Sequence, residues 1–443
     1  MPDALYNLSP LDGRYQKEVS ELSDYFSEAA LIRYRAEIEK KYLIALLQLF
    51  KKATAQEIKK ISQIKIKPER VKEIEKVTDH DVKSIEYAMR EEFKKIGLKK
   101  EIIEFFHFAL TSWDINNLAN TLMFKDSLKK IYLRDLNRLI QELTKLAKTY
   151  KSLTILSLTH GQPATPTTLG KEIAVFVARL QRQTKFTRLL GKFNGATGNW
   201  AAHYLAYPKI DWLKFSERFV KSLDLEFNPL TTQIEPYDSL AENYQQIVRI
   251  NNILKNFCQD VWLYISRGIF KQKAVKGEVG SSTMPHKINP IHFEKAEASF
   301  GMSSAVFNFM ADKLTVSRFQ RDLTDSATIR NQGLAMGYSL LGIKNILSHL
   351  NRLQADETKI KEELENNWEV LTEGIQTILR KTGCSDGYEK LKKLSRGKKI
   401  DKSLLRDFIN SLEIPDQEKE KLLKLTPFNY CGISSQLLKY LKK

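Results

Sequence analysis

Three cysteines in 443 residues, at positions 258, 384 and 431, are too few and too widely spaced to make a disulfide framework. They form no C-x-x-C pair and have no His partner at zinc spacing, which argues against a structural zinc site. They read as reduced thiols. No apolar run approaches the roughly 18 residues that a membrane span needs. Met1-Pro2-Asp3 opens the chain without a basic segment leading into an apolar core. The expectation is therefore a soluble, cytoplasmic protein with no membrane partner. Strand-rich stretches and internal repeats of fixed period are also lacking, and low complexity is confined to short Lys-rich patches.

Positive charge is abundant. Lys and Arg number 71 against 53 Asp and Glu, a net charge of +18. The lysines of segments 51–67 and 390–402 are interleaved with apolar residues, the pattern of a solvated face, so no nucleic-acid partner is expected. A field of this sign would favour an anionic substrate without identifying one.

The length suffices for two or three domains with a large core. Segment 131–143, continued by Leu146, repeats apolar residues at helical spacing. Similar runs cover about 169–191, 241–269 (including Ile247, Ile250, Ile253, Leu254, Trp262 and Ile265) and 327–350. Runs of about 20 to 30 residues exceed the usual globular helix and predict an all-α protein built on a long bundle. Pro163, Pro166, the glycines of 191–198, Pro208, Pro229 and Pro236 punctuate these helices, and a loop beginning at Gly277 follows.

That loop, 277–290, carries the densest chemistry: Gly-Glu-Val-Gly-Ser-Ser-Thr-Met-Pro-His-Lys-Ile-Asn-Pro. Gly277 and Gly280 give hinge freedom, while Pro285 and Pro290 interrupt any helix. Serine is a poor base at its ordinary pKa. Ser281 and Ser282 beside Lys287 make chemical sense only where a cation and N–H donors stabilise an alkoxide. Taken singly, each residue would fit a polar surface loop.

As a string, 280–290 resembles the signature of the fumarase/aspartase superfamily of β-elimination enzymes, and with Thr283 and His286 it is similar to the adenylosuccinate lyase family. Supporting segments occur in that family's order: 9–15 (Ser-Pro-Leu-Asp-Gly-Arg-Tyr), 78–83 (Thr-Asp-His-Asp-Val-Lys), 111–117 (Thr-Ser-Trp-Asp-Ile-Asn-Asn), 159–166 (Thr-His-Gly-Gln-Pro-Ala-Thr-Pro) and 320–326 (Gln-Arg-Asp-Leu-Thr-Asp-Ser). The resemblance implies an N-terminal helical domain to about residue 110, a long-helix domain over 111–350 and a C-terminal helical domain over 351–443. It also implies a homotetramer whose active sites each draw on three subunits, and small nucleotide substrates with no metal or organic cofactor.

The implied reaction eliminates fumarate from adenylosuccinate, leaving AMP, and from succinylaminoimidazole-carboxamide ribotide, leaving AICAR. By resemblance Ser281 is the base at the succinyl Cβ and His160 the acid for the departing nitrogen. Lys287 and Asn289 hold the carboxylate on which charge accumulates, Ser282 donates to it, and Glu294 orients the imidazole. Arg14, Tyr15, Ser326 and Arg330 are assigned to the phosphoribosyl end. Arg321, Gln233, Thr111 and Ser112 are assigned to the succinyl end or ring amide, with His80 and Asp81 on the same wall. A histidine suits the acid role because its ordinary pKa of about 6.5 lies near working pH.

Two positions depart from the family pattern. Asp79 stands where Asn is usual, adding a negative charge near an anion site, and Trp113 stands where Glu is usual. A tryptophan there is expected behind the site, against a neighbouring subunit. Two other readings stay open at this level: another lyase of the superfamily, such as an argininosuccinate lyase or fumarase, and a basic helical scaffold or RNA-binding protein that has lost activity. Arg14-Tyr15 and His286 speak against the first, and intact Ser281, His160 and Lys287 against the second.

Overall fold

The computed structural model describes residues 4–273, 284, 286–384, 386, 389, 391–392 and 400–442. Long helices dominate, among them Glu28–Phe50, Ser112–Ser127, Leu133–Thr149, Asp238–Ser266, Ile291–Leu314 and Gln332–His349. The described strands are short and pair two by two, so the architecture is all-α, as the helical periodicity predicts. The described chain groups into two compact units. One comprises Met1–Leu136, Gln183–Asn252 and Ala298–Lys344, the other Asn137–Arg182, Ile253–Glu297 and Asn345–Lys443.

Burial decides which way the long helices face. In Asp238–Ser266, Leu240, Tyr244, Ile247, Ile250, Leu254, Phe257 and Val261 recur at three- and four-residue spacing, and none is more than 2% exposed. Each such side chain contributes roughly 1.5–3 kcal/mol by leaving water. Differences in helix propensity among ordinary residues stay below about 0.7 kcal/mol, so packing outweighs them. The same stripe was expected to include Trp262, but that side chain is 44% exposed, as is its neighbour Leu263 at 52%. Its indole Nε1 donates to Glu294 Oε1 at 3.0 Å, which satisfies the polar edge at the surface.

The run expected over 169–191 is a helix only over Leu169–Gln181. Beyond it the backbone finds tertiary partners. Within the first unit the side chains of Gln246, Asn243 and Ser239 bond to Gln183 O, Thr187 O and Leu190 N. Leu190 and Gly191 then pair in parallel with Glu226 and Phe227. Side chains from the 238–266 helix thus replace the intrahelical bonds that a longer helix would have made.

In the second unit, β1 (Thr154–Thr159) and β2 (Gln162–Thr168) form an antiparallel hairpin in a segment where the sequence shows no strand-rich pattern. Pro163 and Pro166 are compatible with it because each strand of a two-stranded ribbon turns one side away from its partner, where a missing N–H removes no ladder bond. The hairpin feeds into the Leu169–Gln181 helix at Gly170, where a Cβ would lie 2.3 Å from Ala147 O. Only glycine allows that approach. Further along this unit an apolar cluster gathers around Trp368, Ile375, Leu379, Leu405 and Leu422. No helix among the described residues is long and apolar enough to cross a membrane.

Candidate active site

In the second unit, Thr159 pairs with Gln162 and leaves His160 and Gly161 as a two-residue hairpin loop. Both have positive φ, 53° and 73°. That is the requirement of a type I′ turn, whose twist matches that of the flanking strands. Histidine enters this region more readily than most side chains, and glycine does so without strain. The imidazole is exposed at the tip, and among the described residues nothing hydrogen-bonds it. Its placement follows from the hairpin backbone.

Ser281 and Ser282 lie outside the described residues, as do 274–280, Thr283 and Pro285. Lys287 is exposed, and its backbone N–H donates to Met284 O at 3.0 Å. Gln272 Nε2 donates to the neighbouring Ile288 carbonyl at 3.1 Å. Asn289 is half-buried just ahead of Pro290, whose carbonyl accepts from the N–H groups of Phe293 and Glu294 as the Ile291–Leu314 helix begins. Glu294 sits in the first turn of that helix and accepts from Trp262. Among the described residues no hydrogen bond joins Glu294 to His160.

In the first unit, four consecutive residues divide between two tasks at the start of the Ser112–Ser127 helix. Thr111 and Ser112 are half-buried, whereas Trp113 and Asp114 are 2% and 0% exposed. Asp114 Oδ2 accepts from the N–H of Thr111 at 2.9 Å, so the third helical residue reaches back over the first turn. Its Oδ1 accepts from Lys192 Nζ at 2.7 Å and from the N–H groups of Asn194 and Gly195 at 3.1 and 3.2 Å. Lys192 Nζ donates in turn to Gly195 O at 2.8 Å. Burial pulls the Lys192 pKa down, opposed by the charge and hydrogen bond of Asp114. This pair, which ties residues 111–114 to 192–195, was not among the predicted site residues. The Thr-x-x-Asp spacing of a capped helix signalled Asp114. Nothing distinguished Lys192 from the other lysines.

Trp113 lies under Arg321, with the guanidinium carbon 3.9 Å from the ring centroid. It therefore packs inside its own unit rather than in the expected place against a neighbouring subunit, because Tyr237 and Arg321 complete its surroundings. Arg321 Nη1 donates to Gln233 Oε1 at 3.3 Å, which brings two of the predicted succinyl-end residues together.

In the 78–83 segment, Asp79 ends the helix Pro68–Thr78 with φ 49°. Asn and Asp both tolerate this left-handed conformation, so the exchange from the family's Asn preserves the backbone. His80 then caps the helix Asp81–Lys95, its Nδ1 accepting from Lys83 N–H at 3.2 Å. Asp81 Oδ2 accepts from Arg35 at 2.7 Å and from Arg330 at 3.1 Å, while Arg330 also reaches Glu28 at 2.8 Å. Burial raises the Asp81 pKa, but Arg35, the Val82 N–H and Arg330 together outweigh it and hold the carboxyl below its ordinary value. Arg330 is thus oriented by two carboxylates. Arg14 is exposed and Tyr15 half-buried in a turn closed by Tyr15 N–H to Pro10 O at 2.9 Å. Ser326 N–H donates to Asp325 Oδ1 at 2.6 Å.

Residues 3–307 match the family described as lyase, and 317–431 the one described as adenylosuccinate lyase C-terminal. The chain is 47% identical over 449 residues to the adenylosuccinate lyase of Legionella pneumophila strain Corby, covering 98% of each. It is 44% identical over 452 residues to that of Escherichia coli K12, covering 99% of each. In fold it is similar to a fumarate lyase from Mesorhizobium sp. BNC1, with TM-score 0.75, 16% identity and coverage of 95% of this chain and 97% of that one. It is equally similar to a 3-carboxy-cis,cis-muconate lactonizing enzyme from Pseudomonas putida, with TM-score 0.74, 18% identity and 95% of each chain covered. Identity of this order over 98–99% of the chain, with family matches over 3–307 and 317–431, places the chain in the adenylosuccinate lyase family of the fumarase/aspartase superfamily.

Proposed function

We propose that this C–N lyase eliminates fumarate from adenylosuccinate, giving AMP, and from succinylaminoimidazole-carboxamide ribotide, giving AICAR. The observation that carries this reading is the identity of 44–47% to adenylosuccinate lyases over at least 98% of the chain. Ser281 removes the succinyl Cβ proton, the C–N bond breaks, and His160 delivers a proton to the departing nitrogen. Lys287, Asn289 and Ser282 stabilise the aci-carboxylate, a charge that develops only along the reaction and so is worth most in the transition state. Glu294 orients the imidazole from another copy of the chain. Thr111, Ser112, Gln233 and Arg321 hold the succinyl end or ring amide, with Asp79, His80 and Asp81 on the same wall, while Arg14, Tyr15, Ser326 and Arg330 hold the phosphoribosyl end. No metal or organic cofactor enters the scheme.

Three successive segments, 1–110, 111–350 and 351–443, would assemble as a cytoplasmic homotetramer with shared sites. Apolar side chains left exposed on the long helices, Trp262, Leu263, Met302 and Phe309, support an association through them. The lack of an internal hydrogen bond between His160 and Glu294 is consistent with sites completed by other copies.

Purified protein incubated with adenylosuccinate should yield fumarate and AMP in equal amounts by ¹H NMR. Intact adenylosuccinate alongside cleavage of argininosuccinate or hydration of fumarate would overturn the substrate assignment. A second measurement addresses the shared site. Inactive Ser281→Ala and His160→Ala proteins, mixed one to one under conditions of demonstrated subunit exchange, should regain activity at about a quarter of the sites, since each site needs a native residue from two independently drawn copies. Exchange with no recovery would show that each subunit supplies both groups itself.

A further inference from the structure

Arg321 is held from several sides by residues of its own unit. The Trp113 ring covers one face of the guanidinium at 3.9 Å, and Gln233 accepts from Nη1 at 3.3 Å. Asp325 Oδ1 lies 3.8 Å from Nε, too far for a hydrogen bond, and Nε is a buried donor with no partner. Trp113 is itself fixed. It is 2% exposed, and its Nε1 donates to Tyr237 Oη at 2.8 Å, while Tyr237 donates to Asp325 Oδ2 at 3.4 Å. Indole, phenol and carboxylate form one chain that ends at the arginine it supports.

The residue type matters. A carboxylate at position 113, the usual choice in the family pattern, would attract Arg321 by accepting its N–H groups, and a bidentate pair would occupy two of the five. An aromatic face attracts the same cation through its quadrupole without taking a donor. The guanidinium over the indole keeps its charge and has donors to spare for a bound anion.

We propose that Trp113 is a positioning residue: by stacking under Arg321 it presents the guanidinium to the anionic succinyl end of the substrate and so sets substrate affinity. This rests on the reading of Arg321 as a substrate-binding residue. Trp113 does not touch the reacting atoms.

The test is steady-state kinetics with adenylosuccinate. Trp113→Leu should raise KM about 5- to 30-fold, the range expected for losing a desolvated cation–π contact, with kcat changed much less. Trp113→Phe keeps an aromatic face and should recover most of the KM while still losing the bond to Tyr237. In an Arg321→Met background, Trp113→Leu should add nothing to KM, because the residue it acts through is gone. Fluorinated tryptophans placed at position 113 keep the shape and the fold while draining the ring face of electron density. KM should climb stepwise with each added fluorine at constant Tm. A flat KM across that series, or a Leu effect that persists undiminished in the Arg321→Met background, would make Trp113 a packing residue and overturn the proposal. If Arg321→Met alone left kcat/KM unchanged, the reading of Arg321 would fail, and that outcome is distinct from a failure confined to Trp113.

Discussion

Replacing His160 should lower kcat by about 10²- to 10⁴-fold, the usual cost of removing a general acid, with folding unchanged. The structure makes this a clean experiment. The side chain is exposed at a hairpin tip and has no hydrogen-bond partner among the described residues, so its loss breaks no hydrogen bond of the single chain's fold. The backbone at φ 53° is the one complication, because alanine dislikes the left-handed region. His160→Asn avoids it, since asparagine tolerates that conformation and cannot act as a general acid. Both variants should match the wild type in circular dichroism and Tm while losing turnover. Ser281→Ala should fall by the same order if Ser281 is the base. Retention of more than about a tenth of the wild-type kcat by His160→Asn would remove His160 from the acid role.

The second large effect concerns stability. Lys192→Met should destabilise the protein by about 3–5 kcal/mol, because it leaves the Asp114 carboxylate buried without its counter-ion. Both side chains are 0% exposed, so solvent does not screen the loss. Three backbone N–H groups, from Thr111, Asn194 and Gly195, still reach Asp114 and limit the damage. Adding Asp114→Asn should return part of the stability by removing the stranded charge. Thermal unfolding measures both: a drop of several degrees for the single variant, with partial recovery in the double. A single variant within about 1 kcal/mol of the wild type would mean that the N–H groups alone satisfy the carboxylate. Because Asp114 anchors the turn that carries Thr111 and Ser112, the single variant should also raise KM at temperatures where it remains folded.

Sequence determined the parts of this protein that are local. The chemistry-bearing segments are contiguous strings, so 277–290, 159–166 and 111–117 stand out without coordinates, as does the apolar stripe of the 238–266 helix, whose period is a property of consecutive residues. Tertiary structure decided what depends on partners far along the chain. The helix beginning at Leu169 stops at Gln181 because side chains from 239–246 satisfy the following backbone. The β1–β2 hairpin is not legible in the sequence because its prolines read as breakers, although they are acceptable on a two-stranded ribbon. Lys192 finds Asp114 78 residues away, and Trp113 lies under Arg321 rather than against a neighbour. A buried lysine and a surface lysine are the same letter, and a tryptophan carries no mark of the cation it will cover. Only the fold, by excluding water from Asp114 and enclosing the Trp113 ring, turns those residues into a counter-ion and a platform.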